Sequence, residues 1–137
     1  MIVLDTNVLI SALIKDSTTR KIIVESGLPL AYPEVSFDEL FRHRSLILRK
    51  GGYDSQTFNT ILSTLLRYIT LISSETIASH FKQAYRIMEH IDSNDAVFVA
   101  TALALNRATI WSDDRDFQRQ TLVPILTTKE LVNTFEK

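Results

Sequence analysis

Seven acidic residues of this 137-residue chain stand where their chemistry calls for explanation. Asp5 lies between the apolar Ile2–Leu4 and the apolar Val8–Ile10, and Glu39 lies in SFDELF. Asp92 and Asp95 sit three apart in DSNDAVFV, on one helix face, and Asp113, Asp114 and Asp116 crowd WSDDRDF. Each has an ordinary reading on its own. An Asp at a helix start accepts free backbone N–H groups and is favoured by the helix dipole. Glu39 alone reads as an exposed helix residue, Asp92 as an N-cap and Asp116 as the brace of a turn. The joint pattern is harder to dismiss, because acids emerging from apolar segments at one sheet edge would crowd together. At an effective dielectric near 20, two carboxylates about 5 Å apart repel by roughly 3 kcal/mol. A cluster of four therefore calls for a cation, and hard divalent ions held through carboxylate oxygen and water, Mg²⁺ or Mn²⁺, are the natural partner. Ions held that way acidify water and neutralise charge on a leaving oxygen, which suits phosphodiester hydrolysis.

Other chemistries lack their residues. The chain has no cysteine, so disulfides, thiolate metal sites and cysteine nucleophiles are excluded. His43, His80 and His90 have no zinc spacing, and nothing places one beside a serine. Gly51-Gly52 ends a helical pattern instead of opening one, so it is no phosphate-cradling loop. An aspartyl-phosphate phosphatase wants a second Asp two positions after the first, where Asn7 stands; a receiver-type phospho-acceptor wants an acidic pair at the first strand, and only Asp5 is there.

The elements that must position these acids are set by hydrophobic spacing. Ile2–Leu4, residues 28–33 (LPLAYP), 69–72 (ITLI), 109–112 (TIWS) and 123–126 (VPIL) are short apolar runs that read as strands. Between them, helical spacing predicts helices over 6–14, 17–26 with a Gly27 stop, 34–50 ended by Gly51-Gly52, and 55–68. A further helix opens at the SSET capping signal and runs to about residue 90, and 93–106 is apolar nearly all round and reads as a buried helix. Residues 113–120 form a short helical turn and 127–135 a closing helix. Strands alternating with helices predict an α/β fold: one three-layer domain over residues 1–137 with a mainly parallel sheet. Ligands bind such sheets beyond the carboxyl ends of the strands, where Asp5 and Asp113–Asp116 fall.

Composition is that of an ordinary globular protein, 45% hydrophobic and 23% charged, with a length that buries roughly two-thirds of the unfolded surface. A net charge of −1 gives no uniform pull toward nucleic acid. No apolar run approaches a membrane span of about 20 residues, and no basic region precedes a cleavable apolar stretch. The expectation is no membrane association and a cytoplasmic location.

With these residues in view, the chain resembles the PIN-domain family, in particular small VapC-like toxin ribonucleases. The resemblance runs the whole length in order: LDTNVLISAL, SFDEL, DSNDAVFVATALAL and WSDDRDF match the family's four motifs. It implies Mg²⁺- or Mn²⁺-dependent endonucleolytic cleavage of single-stranded RNA by water, leaving a 5′-phosphate. It implies Asp5, Glu39, Asp95 and Asp114 as the metal-binding catalytic acids, with Asp116 and Asp92 as auxiliary acids. Thr6 and Asn7 match the positions that orient the first Asp, and Ser112 stands where Thr is common. The Asp113-Asp114 doublet leaves the fourth ligand open by one position. Alternatives within the same fold are a nuclease of RNA processing that is no toxin, and a catalytically silent module that binds RNA or protein.

The run RHRSLILRK after Glu39 is basic. It reads either as a solvated helix face or as phosphate contacts through Arg42, Arg44, Arg49 and Lys50. Ile47, Leu48, Phe58, Ile61, Leu62, Leu65 and Leu66 predict a helical hairpin whose apolar residues are core or dimer contacts, and a homodimer is the expected assembly. The resemblance also implies a cognate antitoxin beside that hairpin. Trp111 reads as packing.

Overall fold

A computed structural model describes residues 1–15 and 17–135. Five strands form one sheet: β1 (Ile2–Leu4), β2 (Leu30–Pro33), β3 (Ile69–Ile72), β4 (Thr109–Trp111) and β5 (Ile125–Leu126). Their order is β3-β2-β1-β4-β5, and every pair is parallel. β1 is the centre, with Val3 beside Ala31 on one flank and Ile110 on the other. All four residues of β2 are buried, as expected where helices cover both faces of a parallel sheet. The edge strand β3 is buried only at its two ends, with Thr70 and Leu71 exposed.

The helices are α1 (Thr6–Ile14), α2 (Thr18–Glu25), α3 (Phe37–Arg42), α4 (Arg44–Gly51), α5 (Ser55–Leu66), α6 (Ser74–Met88), α7 (Ala96–Ala104) and α8 (Thr128–Phe135). α7 lies across β1, β2 and β4, and α6 packs along it. The apolar circumference read over 93–106 is explained by that position, since Phe98, Val99, Ala100, Thr101 and Ala102 are all buried. Short 3₁₀ turns at Glu34–Ser36, Ser93–Asp95 and Arg115–Arg119 precede α3, precede α7 and follow β4.

The helix expected over 34–50 is in fact three pieces: a 3₁₀ turn, α3 and α4. The break falls at His43 (φ −96°, ψ 7°), whose N–H donates to Leu40 O at 3.0 Å in a tightened last turn. Leu40 and Ile47, on either side of the break, are both fully buried. Strand ends also contract: 28–33 becomes 30–33 and 123–126 becomes 125–126. The apolar residues of the predicted hairpin face inward. Ile47, Phe58, Leu62 and Leu65 are buried, and Leu48, Ile61 and Leu66 are partly buried against the same core.

α1 is held at both ends. Ala12 O accepts from Arg20 Nε at 2.8 Å, and Leu13 O accepts from the other end of the same guanidinium and from the Tyr53 hydroxyl. These bonds satisfy carbonyls that a helix leaves open at its C-terminus.

Candidate active site

The sheet order changes direction at β1, so a crevice opens where β1 and β4 end side by side. Asp5 is the residue at which the chain leaves β1. Its Oδ1 accepts from Val8 N at 2.8 Å, capping α1, and its Oδ2 accepts from the Ser112 hydroxyl at the end of β4. The ordinary reading of Asp5 therefore holds for one oxygen, which caps a helix, while the other faces β4. Ser112 Oγ also accepts from Asp114 N at 3.0 Å, so one hydroxyl sets the spacing between two acids 109 positions apart in the chain.

Asp114 Oδ1 accepts from Asp116 N at 2.9 Å, which fixes its carboxylate at the crevice. Its neighbour Asp113 turns away, accepting from Thr128 N and Thr128 Oγ1, each at 2.7 Å. Thr128 Oγ1 in turn accepts from the fully buried Trp111 Nε1 at 2.9 Å. Of the doublet, Asp114 lines the crevice and Asp113 holds the start of α8. Trp111 is packing, as expected.

Asp92 and Asp95 divide their duties. Asp92 caps the 3₁₀ turn by accepting from Asn94 N at 3.1 Å, while Asp95 accepts nothing at the start of α7. Asp95 Oδ2 is buried without a hydrogen-bond partner. Desolvation, with Asp92, Asp114, Asp5 and Glu39 nearby, pushes Asp95 up to about 7. Burial likewise pushes Asp5 up to about 6, against the lowering effect of its bonds to Ser112 and Val8.

These groups wall a cleft of about 200 Å³. Asp5, Glu39, Asp95 and Asp114 surround it, Asp92 stands at its rim, and Phe98 borders it. Thr6, Asn7, His43 and Asn94 complete the lining. The four principal acids thus come from β1, α3, the start of α7 and the end of β4, and the fold brings all four together. Among the described residues the ion pairs are Glu89–His90 and Asp116–Arg119, so no lysine or arginine neutralises the cleft. An all-oxygen donor set, an orphaned buried carboxylate oxygen and four uncompensated acids fit a hard divalent cation. As they stand, no three of the described acids or histidines converge on one coordination point.

The remaining residues named from sequence are spread more widely. Asp116 contributes its amide to Asp114, but its own carboxylate is half-exposed and faces Arg119 at 4.0 Å. Asn7 is exposed at the rim, and Asp5 takes its bonds from Val8 and Ser112 instead. Arg42 lines an adjoining groove of about 660 Å³ between α3 and α6. Arg44 lies over the Phe58 ring, its guanidinium carbon 5.5 Å from the centroid, and so packs on α5. Arg49 and Lys50 are exposed in the last turn of α4. That end abuts Tyr53 and Leu13, at the opposite end of α1 from Asp5 and about 12 Å along the helix.

Tyr32 was not flagged by sequence. Its hydroxyl donates to Ser36 O at 3.0 Å, so the 2.8 Å bond to Thr6 must be donated by Thr6 Oγ1. This buried chain ties the start of α1 to the turn that presents Glu39. The one signal for it was a polar-tipped side chain inside the apolar LPLAYP.

A family model described as PIN domain matches residues 3–135. The chain belongs to the PIN-domain family. Solved structures share this fold at low identity. A chain of VapBC2 from Rickettsia felis, bound to a DNA fragment from its promoter, superposes with a TM-score of 0.68 at 20% identity, covering 93% of this chain and 98% of that one. A chain of VapBC-1 from nontypeable Haemophilus influenzae gives 0.66 at 24%, covering 94% and 99%. A chain of FitAcB from Neisseria gonorrhoeae gives 0.66 at 18%, covering 94% and 99%. No curated protein matches the chain in sequence. No helix among the described residues is long and apolar enough to cross a membrane.

Proposed function

We propose that this PIN domain is a divalent-cation-dependent endoribonuclease that hydrolyses single-stranded RNA, and that it is the toxin of a toxin–antitoxin pair. The observation that carries the reading is the cleft itself: four carboxylates from four separate elements, unpaired with any cation among the described residues, one with a buried oxygen bonded to nothing. Membership of the PIN family and likeness to the VapBC structures support nuclease chemistry and an antitoxin partner.

Asp5, Glu39, Asp95 and Asp114 would hold Mg²⁺ or Mn²⁺, with Asp92 at the rim. When bound, the cation neutralises phosphate charge and acidifies water. The chain's own contribution is placement. Ser112 holds Asp5 and Asp114 at a fixed separation, the Thr6–Tyr32–Ser36 chain sets Glu39 against Asp5, and burial leaves one oxygen of Asp95 unclaimed by any donor. Arg42, in the groove beside the cleft, takes a phosphate of the bound strand. Arg44, Arg49 and Lys50 lie outside that path.

The test is cleavage of labelled RNA by purified protein with Mg²⁺ or Mn²⁺ and with chelator, beside Asp5→Asn and Asp95→Asn. Chelator and both substitutions abolish cleavage on this reading; cleavage surviving either substitution sinks it. Arg42→Ala weakens RNA binding and lowers its salt dependence by about one ion, whereas Arg44→Ala leaves both unchanged.

A further inference from the structure

We infer that His43 reads the ribose 2′-hydroxyl and so sets the preference of this cleft for RNA over DNA; the inference rests on the nuclease reading above. Hydrolysis by water needs no 2′-hydroxyl, so any preference has to come from contacts.

His43 is placed by the helix break. Its N–H donates to Leu40 O and its carbonyl accepts from Ile47 N, each at 3.0 Å, so the backbone is pinned on both sides. The ring is pinned as well. Nδ1 lies 2.9 Å from Glu39 O, and a carbonyl can only accept, so the ring hydrogen sits on Nδ1. In the neutral imidazole Nε2 is then a bare acceptor. His43 pairs with no carboxylate within 4.0 Å among the described residues, where the one histidine ion pair is that of His90.

Its location gives that acceptor a use. The acidic cleft and the groove holding Arg42 and Phe81 share Glu39, His43 and Asn94. A strand with one phosphate at Arg42 and the next at the acids carries the intervening sugar over this seam. Glu39 is committed to the cation, and Asn94 both donates and accepts. His43 presents Nε2, with its Nδ1–H already used on Glu39 O. Within a strand, phosphates and ring oxygens only accept, and the 2′-hydroxyl is the sole donor of the sugar–phosphate backbone. The backbone of a DNA strand offers this nitrogen no donor.

The experiment compares initial cleavage rates at pH 8 on one single-stranded sequence made with ribose, 2′-deoxyribose or 2′-fluororibose throughout. The fluorinated sugar keeps an RNA-like pucker but cannot donate. Wild type is expected to cleave the ribose strand at least about tenfold faster than either analogue. His43→Ala brings the three rates to within about twofold by slowing the ribose strand alone, and His43→Gln, whose Oε1 can accept, keeps part of the preference. Equal wild-type rates on all three strands overturn the inference and leave the nuclease reading standing. So does a His43→Ala protein that keeps the wild-type preference, or one that loses activity on all strands in proportion, including a loss recovered by added Mn²⁺. A wild-type protein that cleaves none of them refutes the nuclease reading instead. The 2′-fluoro comparison needs no variant, so the inference stays exposed to test even if His43→Ala fails to fold.

Discussion

Replacing Asp95 by Asn removes one charge from the cleft at almost constant shape, and without metal the change should stabilise the protein. Asp95 caps nothing, and its Oδ2 is buried without a partner. Its carboxyl is pushed from 3.8 to about 7 by desolvation and the surrounding acids. At 1.36 kcal/mol per pH unit, that difference sets a ceiling of about 4 kcal/mol on the cost of the ionised group in the folded state. Water reaching the open side of the cleft screens the neighbouring charges and brings this to about 1–2 kcal/mol. Proton binding fixes the sign. Below pH 3.8 both folded and unfolded chains hold the proton and the carboxyl costs nothing. Between 3.8 and about 7 only the folded chain holds it, so wild type loses stability as pH rises; above that range both are ionised and the full cost persists. About a quarter of the penalty is present at pH 4.5 and essentially all of it at pH 8. Thermal unfolding followed by circular dichroism in chelator should therefore place Asp95→Asn roughly 3–8 °C above wild type at pH 8, and the gap should narrow to about a quarter at pH 4.5. Added Mg²⁺ should then raise the wild-type midpoint more than the variant's. A variant that melts below wild type at pH 8, or a gap that does not change with pH, would show that the carboxylate serves the fold and not a cation.

Three further outcomes are expected. Ser112→Ala removes the bond that lowers the Asp5 carboxyl, so in chelator Asp5 rises above its value of about 6, read from the pH dependence of its carboxyl carbon-13 resonance; an unmoved midpoint would show that the Ser112 bond does not set it. Tyr32→Phe leaves the Thr6 hydroxyl and the Ser36 carbonyl unpaired in the interior. It should cost about 1–2 kcal/mol in urea unfolding at unchanged m and slow cleavage through Glu39, and a wild-type midpoint would refute that role. Gln120 is buried and makes three bonds that staple the chain before β5, to Phe117 O, Val123 O and Val123 N. Gln120→Ala should lose about 2–3 kcal/mol of stability with unchanged cleavage per folded molecule, checked by chemical unfolding beside a rate assay.

The fold was legible where burial fixes the pattern. β1, α1 and the buried α7 can be read directly from apolar runs, because an element covered on all sides leaves no freedom in its residue types. The acids stood out for the opposite reason: Asp5 and Asp95 interrupt such runs, where a charge is costly to bury. What escaped lies in directions in space. Nothing in RHRSLILRK reveals that the helix breaks at His43 and sends Arg44 over Phe58 while Arg42 stays beside the cleft. Nothing in SDD tells which aspartate turns toward Thr128, since that depends on α8, which begins 14 positions after Asp114. Tyr32 was hidden by its own strand: its ring packs as apolar residues do, and only the reach of its hydroxyl to Thr6 and Ser36 gives it a further role.

The order β3-β2-β1-β4-β5 also has a consequence in time. While the chain is being made from its N-terminus, β1, β2 and β3 are complete well before β4 exists, so β1 is at first an edge strand. Asp5 then has no Ser112 to hold it, and the crevice has only one wall. The fourth acid is added only when β4 pairs with β1, after more than four-fifths of the chain has been assembled. A growing chain therefore carries Asp5, Glu39 and Asp95 without a finished cleft, and the four acids meet only at one late pairing event.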